Sequence, residues 1–463
     1  MTTFPSSPPH GGPPRSWTFP TMVSKVLPSG VEVAAIRMPA LPIVQVRWSF
    51  RGGRRDESLE AVGSSRLLQS VMRHGTRSYD SAALAGTLDH IGARLHISMA
   101  CDSAMVCVSA LTSHLSQALD LADEVAFEPS LPVDAIDRER AKALEVHRHD
   151  RLQPEALAGT WLAWRLYGTH PYGRPGTTEA GLAATDRELL SSLHATVFHP
   201  GHGLILVVGD VDPDAVVARL SERYGSLSGK GPHPQPPARL DPPPMKRSAT
   251  LVERPRSQQT AIALGMAAPA RVHPNYLALR LANQVFGGGA SSRLFMELRE
   301  RQSLTYGAYS MLDSGLWGGD LTASLNCAGD KTLQAVRGLT TEVERMSAGI
   351  IERDDLDHAR RFLIGSFPQR ASGVAGVAAL ANAGWLHGLG EDTWSRYQSD
   401  IADVSEQDVI EAARRWFLPE LSALVVVGAS DALDLVEGPL SDAGLPVERT
   451  DLADTRFEGM DLD

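Results

Sequence analysis

Residues 203–212 read GLILVVGDVD, and residues 421–430 read LSALVVVGAS. Each is a strand-sized apolar run closed by a glycine, and those glycines, Gly209 and Gly428, stand 219 residues apart. A short apolar run bounded by turn signals fits a strand buried on both faces. The phrases before the runs also match: Val197-Phe198-His199-Pro200 in one, Trp416-Phe417-Leu418-Pro419 in the other. A similar offset relates EVAAIRMPALPIVQVRWSF at 32–50 to TLVERPRSQQTAIALGM at 250–266. One repeat of this length marks a duplicated domain, not a short-period solenoid.

Working outward, the stretch GPHPQPPARLDPPP at 231–244 holds seven prolines and separates the two copies. Its composition predicts a semi-rigid extended spacer. Within each copy the order of elements repeats. One or two strands are followed by a helix (roughly 60–73 and 273–285). A hairpin with period-two alternation comes next, at 93–100 with 104–111 and at 305–313 with 320–327. A helix (113–127, 331–347) and a longer helical region (134–168, 354–389) precede the closing helix and apolar strand. Antiparallel strands with helices gathered on one face make an α+β fold of two homologous domains. The predicted boundaries are a proline-rich disordered tail at 1–22, an N-terminal domain at 23–230, a linker at 231–246, a C-terminal domain at 247–440 and an acidic tail at 441–463.

Composition narrows the function classes. The chain has 463 residues, a net charge of -11 and no basic stripe, which disfavours nucleic-acid binding. No apolar run approaches the roughly 18 residues of a membrane span. Three scattered cysteines, Cys101, Cys107 and Cys327, provide neither a disulfide framework nor a four-thiolate zinc site. The opening residues lack an apolar core behind a basic flank, so a cytoplasmic location is expected by default.

Three segments carry a specific likeness. They are GSSRLLQSVMRHGTRSYDSAALAGTLDHIGARLHISM at 63–99, HPYGRPGTTEAGLAATDRELLSSLHATVFHPGHGLILVVGDVD at 170–212, and FGGGASSRLFMELRERQSLTYGAYS at 286–310. In order and spacing the chain resembles the pitrilysin/insulinase zinc metallopeptidases, in their mitochondrial-processing-peptidase-like branch, over about residues 25–435. That family works through H-x-x-E-H on a helix: two imidazoles four apart hold Zn²⁺, the Glu serves as general base, and a Glu about 75 residues later is the third ligand.

With the register anchored on Gly75-Thr76, the resemblance places Arg66, Gln69 and Ser70 where His, Glu and His should stand. Counting 75 residues past Ser70 falls on Glu145, the one ligand retained. Arg donates no lone pair, Gln takes no proton at neutral pH, and Ser is a poor neutral ligand. The N-terminal domain is therefore read as a degenerate zinc site, with no metal and no catalytic residue in this chain. The other histidines read differently. The alternative metal candidates are His74, and His147 with His149 in EVHRHD; an H-x-H pair on a helix points to nearly opposite faces, so joint ligation there is awkward, and in this polar context solvated surface is the expected reading. His170 and His199, each before a proline, are expected to make turn hydrogen bonds.

The second half keeps more. In this family an Arg and a Tyr of the C-terminal domain reach the substrate backbone, and the pattern LFMELRERQSLTYGAYS places them at Arg299 and Tyr306. A guanidinium fork and a phenol suit a peptide carbonyl or a developing oxyanion. Gly287-Gly288-Gly289 lacks the Lys-Ser/Thr of a phosphate loop and reads as a turn before a helix. The strand at 92–99 matches the family strand that takes up extended peptide.

The resemblance thus implies a non-catalytic, substrate-binding subunit of a heterodimeric zinc peptidase. Zinc belongs to a homologous partner subunit, peptide is the substrate, no membrane or nucleic acid is involved, and no catalysis is expected from this chain alone. The alternatives are a structural core-type subunit of a large assembly and a stand-alone peptide-binding homodimer. An Arg66–Glu145 ion pair is expected to fill the place of the metal.

Overall fold

A computed structural model describes residues 17–227 and 247–453; the proline-rich linker, residues 1–16 of the predicted N-terminal tail and residues 454–463 of the predicted acidic tail lie outside the described residues. The first half opens on strands β1 (Met22–Val26), β2 (Glu32–Arg37) and β3 (Ile43–Arg51), then helices α1 (Ser64–Val71) and α2 (Ser81–His90). The hairpin β4 (Arg94–Met99) and β5 (Ser103–Leu111) precedes α3 (Leu115–Phe127), α4 (Val133–Arg151), α5 (Pro154–Tyr167), α6 (Glu179–Ala184) and α7 (Arg187–Val197). Strand β6 (Gly203–Gly209) and α8 (Pro213–Tyr224) close it. The second half runs β7 (Ser248–Glu253), β8 (Gln259–Ala268), α9 (Tyr276–Phe286), β9 (Thr305–Ser314), β10 (Gly319–Ala328), α10 (Thr332–Ser347), α11 (Arg353–Arg370), α12 (Val374–His387), α13 (Thr393–Asp403) and α14 (Glu406–Trp416). It ends with β11 (Ala423–Gly428), α15 (Ser430–Asp442) and β12 (Val447–Asp451). Both long helical regions are split in two. The first break falls before Pro154, which cannot continue α4 and instead starts α5 at its first position.

The duplication is visible in the sheets, whose strand orders are β1-β2-β6-β3-β5-β4 and β12-β7-β11-β8-β10-β9. Five strands correspond one to one, with β2–β6 and β7–β11 parallel at the centre. The sixth differs: β1 comes from the N-terminal side as an antiparallel partner of β2, whereas β12 comes from the C-terminal side, parallel to β7. Residues from 441 onward, read as an acidic tail, therefore contain the end of α15 and an edge strand. The expected N-terminal tail also ends early. Trp17 packs edge-to-face on Phe367 at 5.3 Å, and the Phe19 amide donates to Ser395 Oγ at 3.1 Å.

Each half packs its own helices on one sheet face, as expected of the α+β class. The opposite face is covered by the other half. Trp161, Leu162 and Leu166 of α5 pack on Val252, Ala261, Ala263, Val425 and Val427 of the second sheet. Reciprocally, Val377, Ala378 and Ala381 of α12 pack on Ala34, Ile36, Leu204, Leu206 and Val208 of the first. This explains why β6 and β11 are apolar at almost every position: neither face meets water.

Candidate functional site

Helix α1 starts at Gly63, whose φ of 108° is left-handed and whose missing Cβ leaves the Thr177 backbone room to approach. The buried Glu57 carboxylate accepts the Ser65 amide at 2.7 Å and satisfies one open donor of the first turn. So anchored, α1 turns Arg66 outward and leaves Gln69 and Ser70 half-buried. Gln69 has structural work: its Oε1 accepts the Met99 amide at 2.9 Å, tying α1 to the end of edge strand β4.

Across from α1 lies α4, and here the structure corrects the sequence reading. Glu145 points to solvent, with a side chain 77% exposed and Arg148 as its ion-pair partner at 3.5 Å. No ion pair links Arg66 to Glu145 within 4.0 Å, so the expected replacement of the metal by that pair does not form. The α4 residue that faces Arg66 is His147, only 7% exposed, and the two line a small cavity of about 140 Å³ with Asp150, Thr160 and Thr177. His147 is thus not solvated surface. His149 does face outward, beside the Gln153 amide at 3.3 Å. His74 reaches Glu139 on α4 at 3.2 Å, while His170 and His199 accept the Tyr172 and Gly201 amides in turns at 3.1 and 3.2 Å.

This set does not fit zinc. Arg66, Gln69 and Ser70 supply no good donor, and one imidazole cannot hold the ion by itself. Among the described residues no group of three or more His, Cys, Asp and Glu side chains is arranged to hold a metal ion. The signal that would have found His147 was helical periodicity: Ile136, Ala143, Leu144 and His147 fall on one inward face of α4, and Glu145 does not.

In the second half, Arg299 sits on the helical turn Phe295–Arg301, which has the wide i→i+5 pattern often met at functional positions. Its guanidinium lies 4.6 Å from the Phe295 ring centroid, with Nε 3.5 Å from Glu300. Tyr306 follows on β9, the edge strand of its sheet, and is 89% exposed. It stands on the wall of a cavity of about 590 Å³ shared with Thr305, Gly307 and Tyr309, opposite Glu155, Gly159 and Leu162 of α5. Arg299 is not part of that wall. The glycine turn lies close behind β9. A Cβ on Gly287 would fall 2.5 Å from the Ser310 amide nitrogen, and that amide donates to the Gly287 carbonyl at 2.8 Å.

Between the halves is a polar cavity of about 270 Å³. Tyr172 donates to Asp102, and Tyr167 donates to Asp320 Oδ2 at 2.6 Å. The loop 315–319 docks here, with the Leu316 amide donating to Tyr172 at 3.1 Å. Burial pushes the Asp320 carboxyl up to about 6, and the nearby Asp313 adds to the shift against the Tyr167 hydrogen bond.

Two copies of one α+β unit, each a six-stranded sheet with helices packed on it, define the class of fold. The chain belongs to peptidase family M16, the insulinase family. Residues 32–175 match the family model described as "Insulinase (Peptidase family M16)", and residues 185–363 match "Peptidase M16 inactive domain". An "uncharacterized zinc protease" of Mycobacterium leprae is 31% identical over 303 residues, covering 65% of this chain and 68% of that one. One of Streptomyces coelicolor is 25% identical over 439 residues, covering 91% and 90%. In fold, the chain is similar to a peptidase M16 inactive domain from Pseudomonas fluorescens, with TM-score 0.81, 24% identity, and 88% and 98% of the two chains covered. It is also similar to a protease from Helicobacter pylori, with TM-score 0.80, 20% identity, and 88% and 99% covered. No helix among the described residues is long and apolar enough to cross a membrane.

Proposed function

We propose that this chain is the non-catalytic, substrate-binding subunit of a heterodimeric zinc peptidase, closing a chamber whose zinc is held by a homologous partner. The observation that carries this reading is the contrast between the halves. The α1–α4 cavity is lined by Arg66 and His147, with Gln69 already held by the Met99 amide and Ser70 a neutral hydroxyl, a poor donor set for a metal. The second half leaves the Tyr306 hydroxyl in the open and Arg299 on the preceding turn. In this role the Arg299 fork donates to a peptide carbonyl and the Tyr306 O–H adds a second donor. Edge strand β4, apart from the Met99 amide held by Gln69, offers its outer backbone to an extended peptide.

Co-expression with an M16 subunit bearing H-x-x-E-H tests the proposal. A one-to-one complex that cleaves peptides, with about one zinc per pair and none on this chain alone, is the expected result. An isolated homodimer that binds peptide without cleaving it favours the stand-alone alternative, and recovery only in a large assembly favours a structural role. Stoichiometric zinc on this chain by itself overturns the reading.

A further inference from the structure

A cavity of about 280 Å³ in the second half, separate from the regions discussed above as peptide-binding, is walled by three arginines. Arg271 precedes α9, Arg280 lies on it, and Arg370 ends α11; Tyr276, Tyr397, Trp394 and His387 share the wall. Two other guanidiniums packed into the fold find carboxylates: Arg293 meets Glu342 at 3.0 Å and Arg223 meets Asp123 at 2.6 Å. Among the described residues no carboxylate lies within 4.0 Å of Arg271, Arg280 or Arg370. The one acid on the wall, Asp313, is exposed.

The contacts they do make leave room for a ligand. Arg271 donates to the Tyr276 hydroxyl, and Arg280 Nε donates to the Tyr397 hydroxyl at 2.9 Å. Each phenol oxygen is thus an acceptor for a guanidinium, which leaves its own proton free to be given onward. Both tyrosines are 5% exposed and line the cavity. The Arg271 guanidinium also lies 4.1 Å from the Tyr276 ring centroid and 5.6 Å from that of Trp394. Burial pulls Arg271 below its ordinary value, and the charges of Arg280 and Arg370 pull the same way. Like charges gathered in a partly desolvated space are unfavourable unless an anion joins them.

We propose that this cavity binds a phosphoryl oxyanion: free phosphate, or the phosphate or pyrophosphate group of a small molecule. A single carboxylate has one charge and two oxygens, and would leave two guanidiniums unmatched. A phosphoryl group carries about −1.5 to −2 at pH 7 and three acceptor oxygens, which suits several forks at once. This site is independent of the peptidase reading and stands or falls without it.

The test is titration of the full chain with inorganic phosphate, pyrophosphate and ribose 5-phosphate at constant ionic strength, followed by calorimetry and tryptophan fluorescence. Saturable binding of at least one is expected, with affinity falling about tenfold or more in R271Q and in R370Q, the scale of one lost charged hydrogen bond. Inorganic phosphate binding as tightly as ribose 5-phosphate assigns the site to the free ion, and tighter ribose 5-phosphate to a phosphomonoester. R370Q changes an exposed residue and keeps the fold measurable; without anion it should unfold no earlier than wild type, and phosphate should raise only the wild-type midpoint strongly. Absence of saturable binding in the millimolar range, equal affinity in wild type and both variants, or binding of citrate with all three phosphoryl probes silent overturns the proposal.

Discussion

Arg299→Ala and Tyr306→Phe should separate activity from stability. In the folded chain Arg299 has two weak attachments: an ion pair to Glu300 at 3.5 Å with both side chains about half exposed, and the Phe295 ring at 4.6 Å. An exposed pair contributes roughly 0–1 kcal/mol and an exposed cation–π contact roughly 0.5–1 kcal/mol. The Tyr306 ring is 89% exposed, so removing its hydroxyl should change stability by less than about 0.5 kcal/mol. Were both groups to donate to the substrate at the reacting carbonyl, losing either would cost about 10²-fold in turnover, or roughly 2.7 kcal/mol. The assay is peptide cleavage by the pair reconstituted with the proposed zinc subunit, beside denaturant unfolding and size-exclusion of each variant. Turnover down by two decades, with complex mass unchanged and stability lowered by no more than about 2 kcal/mol in Arg299→Ala and about 0.5 kcal/mol in Tyr306→Phe, is expected. Wild-type turnover in both variants refutes the argument, and a larger stability loss in either shows that its side chain packs rather than reaches substrate.

Two further outcomes follow from the structure. The double variant R66H/S70H should bind Zn²⁺ using His147 as the third ligand, so adding E145A should leave affinity unchanged while adding H147A should abolish it, as read by competition with a chromogenic chelator. For pH, Asp320 is raised from its ordinary 3.8 to about 6, so the folded chain holds its proton more tightly than the unfolded chain. The contribution of Asp320 to stability should therefore fall as pH rises from about 4 to 6, by at most about 3 kcal/mol, and the difference in urea stability between wild type and Asp320→Asn should shrink by that amount between those limits.

How much of this was legible in the sequence depended on which residues faced inward. The duplication was readable because β6 and β11 are buried on both faces, leaving apolar runs that align without gaps. The third motif position was misplaced because counting along the chain ignores which way a helix faces. Glu145 and His147 are about 200° apart around α4, and the polar neighbours Arg148, His149 and Asp150 hide the single inward histidine. Strand β12 read as a tail because it is a charged edge: Arg449 at its middle pairs with Asp434 at 2.6 Å, Glu437 at 2.8 Å and Glu253 at 3.1 Å. Charge on an edge strand guards against further pairing, and its partner β7 lies far away in sequence.

The reciprocal cover of the sheets bears most directly on function. Strands β6 and β11 require apolar cover on two faces, and the helices of one half can supply only one. The missing layers are α5 and α12, equivalent helices that cross to the opposite sheet. Because α5 crosses, it becomes the wall facing Tyr306 across the large cavity. Because the loop 315–319 lies against Asp102 and Tyr172, the tip of the β9–β10 hairpin is held by the first half as well. The Tyr306 cavity is therefore incomplete in the second half alone. The first half is required as the scaffold that holds this surface in place whether or not it holds a metal, a sufficient physical reason for such a chain to keep both halves.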